Sequence, residues 1–455
     1  MLLNLAIKKG IPKDWKKALI TMIPKKSIKS KDPGQYRPIS LTSCIGKLAE
    51  RLIKSRLYKT LENNEVFVEQ QSGFRNNRGT SDNLLFFTQK ISENLAKKRK
   101  TCSIFFDISK TFDKVWHCGL IKKLLNLKVD SYIIRYIMDF LKERSFRVRC
   151  KNTLSEQTPI TCGVPQGSVL GPLLFLVFIN DIPLANSKHK SYSSLFADDL
   201  ATIFSFKNDK KIVEKSMKVY LEKLIKWLFK WRLKMNASKC GYIIFSNNNS
   251  QRKVKFNLNL PDGPIPYNPN PIFLGVTFDE RLCFNVHSNN LKLRAIKRLN
   301  IIKTLSHKSW HLTKYTLIGI YNALIGSIFE YSFFMTSNIS VTNLDKIQVV
   351  QNRAIRCIFK LEWNSPNHLL YKISEILPVK ERLIVLGCRR LYKALSVNKY
   401  IHLLMHEYLD SISSIRRNKK SWSERETPLC CFIPYVCLAL TLQVLVYCCV
   451  CFHYN

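Results

Sequence analysis

Residues 193–202 read SSLFADDLAT, and two carboxylates, Asp198 and Asp199, stand side by side there. Leu195, Phe196 and Ala197 precede them, and Leu200 and Ala201 follow. The pattern predicts two short strands with the acids at their turn. A second apolar run, TCSIFFDIS at 101–109, reads as a short buried strand ending at Asp107. If that strand approaches the turn, three carboxylates share one place. Like charges at short range raise one another's pKa, so such a cluster calls for cations. Oxygen-only ligands suit Mg²⁺, which keeps waters and takes phosphate oxygens. Two such ions about 4 Å apart stabilise both the attacking and the leaving oxygen of an in-line phosphoryl displacement. An Asp-Asp pair alone is also an ordinary turn, so the rest of the chain has to decide.

The chain has 455 residues, room for about three units of roughly 150 residues each. Its 73 Lys and Arg against 32 Asp and Glu leave a formal charge of +41. That surplus predicts a polyanionic partner, nucleic acid before anionic membrane. A hydrophobic fraction of 46% supports sizeable cores and excludes global disorder. Nine cysteines from Cys44 to Cys388 are scattered singly, with no C-x-x-C pair, and six more crowd into 430–451. This fits a reducing compartment, the cytoplasm or nucleus, and gives no zinc ligand spacing. Lys8 and Lys9 follow only a short apolar start, so no secretory signal is visible.

The coarse pattern is mixed. Residues 13–26 read as a turn and strand leading to a basic loop. Residues 43–63 carry Ile45, Leu48, Ala49, Leu52, Ile53 and Leu57 at helical spacing. Two helices follow Asp107, then a hairpin feeding a Pro/Gly loop, then the apolar helix GPLLFLVFINDI at 171–182. Residues 214–236 form a long helix whose Leu221, Leu224, Ile225, Leu228 and Trp231 line one face. The Pro/Asn-rich run at 260–273 precedes a helical, basic remainder, which sets a boundary near residue 288. The tail from Leu429 to Asn455 has no Lys, Arg, Asp or Glu in 27 residues and follows the basic run RRNKK. It reads either as a membrane span with its basic flank in the cytosol or as a coding extension without a role.

The companions of the acids then resemble one family. KKALITMIPKK with DPGQYRPISLTSCIGKLAERLI, EQQSGFRNNRGTSDNL, CSIFFDISKTFDKVWH, TCGVPQGSVLGPLLFLVFINDIP, LFADDLATIF, WRLKMNASKCGYIIFS and IFLGVTFD occur in one order from residue 11 to about 280. That order is similar to the reverse transcriptase domain of non-long-terminal-repeat retrotransposons of the LINE-like, jockey-like kind. The resemblance implies an α+β right-hand polymerase: truncated fingers at 1–100, a palm with an antiparallel sheet at 101–287, and an α-helical thumb and connection at 288–428. The apolar tail at 429–455 lies outside it. It implies RNA-directed DNA polymerase activity with an RNA template, a DNA primer or target and dNTPs. The cofactor would be two Mg²⁺ ions, with Mn²⁺ as the substitute.

Carried over position by position, the resemblance makes Asp107, Asp198 and Asp199 the catalytic, metal-binding triad. Phe112 falls where an aromatic gate excludes a ribose 2′-OH. Lys110 and Thr111 fall where backbone N–H groups meet the triphosphate, and Thr111 replaces the more usual small Ala. Gln166 and Gly167, after Pro165, match the loop against nucleotide and template, where glycine allows close backbone approach. Arg37 and Lys25 or Lys26 match triphosphate contacts in the fingers, Arg as a bidentate fork and Lys as a point charge. Lys239 sits where a lysine serves the leaving pyrophosphate as general acid. Arg75 touches template in this scheme, and Lys292, Arg294, Lys297 and Arg298 lie along duplex on a basic helix. For Phe112 the bland reading is core packing; for the single cations it is a solvated face.

No endonuclease segment precedes the fingers motifs and no RNase H follows, so the expectation is synthesis without target cleavage. The competing expectation is a catalytically silent nucleic-acid-binding relic of such an element. An RNA-dependent RNA polymerase also uses paired aspartates, but Phe112 and the Ala before Asp198 disfavour it.

Overall fold

The computed structural model describes residues 9–25, 32–185, 191–207, 209–248, 254–335, 338–399, 401, 402 and 404–406. Lys26 and the 429–455 tail therefore lie outside the described residues.

The chain opens with β1 (Lys17–Pro24) and β2 (Tyr36–Leu41), an antiparallel pair running from Leu19↔Leu41 to Pro24↔Tyr36. Helix α1 (Cys44–Asn63) follows, its start fixed by the Ser43 hydroxyl, which accepts from Gly46 N at 3.2 Å. It buries Ala49, Ile53, Leu57 and Leu61, one stripe at four-residue spacing, and leaves Ile45, Leu48 and Leu52 exposed. Then come α2 (Thr80–Ala96), β3 (Lys100–Phe106), α3 (His117–Asn126) and α4 (Ser131–Leu141). Strands β4 (Arg144–Cys150), β5 (Thr153–Leu154) and β6 (Thr158–Ile160) lead to α5 (Gly171–Ile179). The hairpin β7 (Ser191–Phe196) and β8 (Asp199–Phe206), α6 (Lys210–Lys230) and β9 (Gly241–Phe245) complete this half.

Two sheets organise it. The central sheet has the order β7-β8-β3-β9 and is antiparallel throughout. Side chains alternate across it. Cys102, Ile104, Phe106, Leu200 and Phe204 enter one core with α3, α4, α5 and α6. Phe105, Ala201, Ile203, Ile243 and Phe245 enter a second core with α2. A sheet covered on both faces holds its register firmly, because a one-residue slip would turn every side chain into the wrong core. The other sheet runs β2-β1-β4-β5, with β6 on β4. Its β1–β4 pair is parallel, from Lys17↔Ser145 to Thr21↔Arg149. Strands from 144–160, inside the span expected for the palm, thus belong to the same sheet as the fingers strands, and α2 from the expected fingers span covers the palm sheet.

Small hairpins, β10 (Asn259–Leu260) with β11 (Gly263–Pro264) and β12 (Ile272–Phe273) with β13 (Val276–Thr277), precede the helical part. That part comprises α7 (Asn285–Leu305), α8 (Lys314–Tyr321), α9 (Ser327–Glu330), α10 (Val341–Phe359), α11 (Asn367–Ser374) and α12 (Val379–Val397). Its apolar faces join the second core, so the thumb packs directly behind the central sheet. Among the described residues no helix is long and apolar enough to cross a membrane.

Candidate active site

The register of the central sheet brings the acids together. Phe106 pairs with Leu200, so Asp107 leaves β3 beside Asp199, the first residue of β8. The β7–β8 hairpin closes on the Phe196↔Asp199 pair, which leaves Ala197 and Asp198 as a two-residue turn. Ala197 takes the left-handed conformation, φ +55°. A non-glycine residue there needs outside support, and Gln71 supplies it. Its side-chain oxygen accepts from Ala197 N at 2.9 Å and from Gly73 N at 2.8 Å, while its amide donates to Ala197 O at 3.3 Å. Gly73 runs so close that a Cβ would lie 2.3 Å from Ala197 N. Gln71 is 1% exposed. Nothing in the sequence alone assigns Gln71 a part. Its only signal was a Gln-Ser-Gly run before a helix.

The electrostatics of the corner follow from this placement. Burial raises the Asp198 carboxyl above its usual range, with a smaller push from Asp107, against a lowering hydrogen bond from Thr111. Asp199 opens its surface to solvent but is hemmed in by protein mass. Desolvation, then Asp198, then Asp107, push it up to about 6. Asp107 faces Lys239, whose Nζ lies 3.8 Å from Oδ2. The Asp107 backbone is fixed by N–H donation to Cys240 Sγ at 3.4 Å and by acceptance from Asn236 N at 3.2 Å. Burial pushes the Cys240 thiol up to about 11, so it is protonated at neutral pH and offers no thiolate.

Among the described residues no three Asp, Glu, His or Cys side chains converge closely enough to hold a metal ion as they stand. The acids share the corner, but Asp198 turns to Thr111 and Asp107 to Lys239. Three like charges lower their energy by taking separate donors. The donor set is all carboxylate oxygen, and two of its members have raised pKa values, first from burial and then from the neighbouring carboxylates. These residues fit a hard divalent cation.

Around the corner, the loop after Asp107 and the Pro/Gly loop are stitched together. Val164 N donates to Phe112 O at 2.8 Å, and Gly163 N to Val115 O at 2.9 Å. Gln166 Nε2 donates to Asp113 Oδ1 at 2.8 Å, and the Gln166 backbone carbonyl accepts from Ser40 N of β2 at 2.6 Å. Gly167 has φ +118°, and a Cβ would lie 2.5 Å from Ser40 O, so only glycine fits this crossing from palm to fingers. Phe112 stacks on Phe175 at 4.4 Å and meets Phe74 edge-on at 5.9 Å, half-buried over the first core. Lys110 is exposed in the left-handed region, φ +48°. Arg37 is exposed on β2, opposite Ile23. Lys25 folds back onto its own hairpin, Nζ donating to Gly34 O at 2.8 Å.

Two expected nucleic-acid contacts are placed otherwise. Arg75 is buried and forks onto Glu62, with Nε–Oε1 3.0 Å and Nη2–Oε2 2.8 Å, while Nη1 donates to Val68 O at 3.2 Å. Its donors serve the fingers' interior rather than a template, because a nearby carboxylate satisfies the fork. Arg298 donates Nη1 to Leu324 O at 2.6 Å and so ties α7 to the turn after α8. Arg294 and Lys297 remain exposed and Lys292 half-buried on α7. The helix buries Leu291, Ala295, Leu299 and Ile302 and leaves Leu293 exposed.

A sheet corner carrying three acids, closed by a Gln-braced hairpin and joined to the fingers by a glycine loop, is the palm of a right-hand polymerase. The family described as reverse transcriptase (RNA-dependent DNA polymerase) matches residues 23–278, and the chain belongs to it. It is 32% identical to the protein named "Probable RNA-directed DNA polymerase from transposon BS" of Drosophila melanogaster, over 82% of this chain and 41% of that protein. It is 30% identical to the RNA-directed DNA polymerase from mobile element jockey of the same organism, over 77% of this chain and 38% of that protein. The chain thus spans about two fifths of the length of the curated relatives it matches. Among solved structures, telomerase from Candida albicans aligns over 86% of this chain and 65% of that one, at 13% identity and a TM-score of 0.40.

Proposed function

We propose that the chain extends a primer 3′-OH with deoxynucleotides on an RNA template, as the polymerase portion of a non-long-terminal-repeat retrotransposon. The observation that carries this is the strand register that sets Asp107 beside the Asp198–Asp199 turn. In the reaction the 3′ oxygen forms a bond to the α-phosphorus of a dNTP, and the bond to the pyrophosphate oxygen breaks. Asp107 and Asp198 would hold two divalent ions, Mg²⁺ or Mn²⁺, with Asp199 completing the set. When bound, these ions supply charge compensation for the phosphoryl oxygens.

The chain's own residues orient the reactants. Gly167 lets the loop backbone approach the nucleotide, and Gln166, held by Asp113, presents its edge. Phe112, fixed on Phe175, excludes a ribose 2′-OH in this reading. The exposed Arg37 binds the triphosphate as a fork, with Lys25 and Lys110 adding charge. Lys239, beside Asp107, gives a proton to the leaving pyrophosphate in this reading. Lys292, Arg294 and Lys297 of α7 lie along the template–primer backbone, and the +41 charge favours that polyanion overall.

Primer extension on an RNA template with a DNA primer, dNTPs and Mg²⁺ tests this. The expectation is incorporation by the soluble chain, reduced about 10³-fold or more by Asp107→Asn or Asp198→Asn with template–primer binding retained. Binding without incorporation by the unsubstituted chain would leave the silent relic as the function.

A further inference from the structure

We propose that the Thr111 hydroxyl is a positioning group for Asp198, holding one oxygen of that carboxylate so that its remaining lone pairs are offered to a divalent cation in a fixed direction. This rests on the metal-binding reading of the acids given above. The contact itself is plain: Thr111 Oγ1 donates to Asp198 Oδ2 at 2.9 Å. Thr111 is 2% exposed, so no water competes freely for the hydroxyl.

Both ends of the bond are held by separate scaffolds. Thr111 follows the left-handed Lys110 and precedes the short 3₁₀ turn Phe112–Lys114, to which its side chain makes no capping bond. Asp113 N closes that turn on Lys110 O at 3.0 Å. The turn is strapped from the far side by Gly163 N and Val164 N. Asp198 sits in a hairpin turn whose preceding residue is clamped by Gln71. A hydroxyl and a carboxylate fixed by two different loops define a direction, which a flexible pair would not.

A carboxylate has about four lone-pair sites, and one hydrogen bond leaves the others for ligation. Groups that hydrogen-bond a metal-ligating carboxylate typically change metal affinity by about 10- to 100-fold when removed. The alanine more usual at this position in the family that the sequence resembles would provide no donor. The hydroxyl is therefore a feature of this chain's own sequence, and it acts through Asp198 rather than on substrate.

The test is Mn²⁺ binding to the full chain without nucleic acid or nucleotide, read as loss of the free-ion electron paramagnetic resonance signal. Unsubstituted protein, Thr111→Val, Thr111→Ser and Asp198→Asn are compared, each checked by circular dichroism. Thr111→Val is expected to weaken Mn²⁺ binding about 10- to 100-fold, and Thr111→Ser to restore it to within a few-fold. In primer extension Thr111→Val should raise the metal concentration for half-maximal rate by a similar factor, and Thr111→Ser should reverse that shift. Thr111→Ala gives the same loss with a smaller side chain where valine disturbs the turn. Thr111→Val equal to the unsubstituted chain, with Asp198→Asn impaired, overturns this proposal alone. Equal binding by the unsubstituted chain and Asp198→Asn overturns the metal-site reading and this proposal with it.

Discussion

Asp199 shows how the fold and the site oppose each other at a single residue. An unfolded Asp titrates near 3.9, about two units below the folded value of about 6. The folded chain therefore binds a proton that the unfolded chain releases between about pH 4 and 6. The stability this group contributes is fully present below about pH 4 and is lost as the pH rises through about 6. Thermal denaturation in EDTA should show Asp199→Asn melting higher than the unsubstituted chain at pH 8, with the gain vanishing toward pH 4. No gain at pH 8 would remove Asp199 from the charged corner. Divalent cations should narrow the gap, since they compensate the charge that the substitution deletes. The same logic explains what was legible residue by residue. The acids could be read from sequence because paired charges among apolar residues demand a reason. Gln71 could not, since its work is hydrogen bonding to a backbone turn, and no residue pattern announces that.

At the scale of elements, the β7–β8 hairpin depends on the segment before α2. Gln71 oxygen satisfies two buried backbone donors, Ala197 N and Gly73 N. Gln71→Ala would leave both unpaired, at about 1–3 kcal/mol for each. Urea denaturation should register that loss, and incorporation should fall further than stability alone accounts for, because Asp198 sits in the released turn. A variant as stable and active as the unsubstituted chain would show that the hairpin holds itself. Strands β3, β7 and β8 were readable from their short apolar runs and terminal acids. Helix α2 was not read at all. It is buried almost all round, with Asn83, Thr88, Gln89 and Asn94 among its buried residues, so it lacks the polar face that marks a surface helix. The β1–β4 pairing is equally silent, since it joins residues 128 positions apart in the chain and depends on tertiary packing.

At the scale of the whole molecule, the parts are locked by contacts that no local pattern encodes. Arg390 of α12 donates Nε to Asp82 Oδ1 at 2.8 Å and pairs through Nη2 with Asp82 Oδ2, and Asn398 Nδ2 reaches the same carboxylate at 3.3 Å. These bonds span more than 300 residues and tie the thumb's last long helix to the helix behind the palm sheet. The order of the segments in the sequence made the hand legible. The boundaries at 100 and 287 could not capture how its parts interleave, because β4–β6 and α2 each cross into a neighbour. We propose that Asp107, Asp198 and Asp199 form one centre for phosphoryl transfer. The most direct test is anomalous diffraction locating Mn²⁺ in the chain bound to an RNA template, a DNA primer and a non-hydrolysable dNTP. Ions bonded to Asp107 and Asp198 and to the triphosphate are the predicted result; ions bound elsewhere, or a triphosphate seated away from these carboxylates, would contradict it.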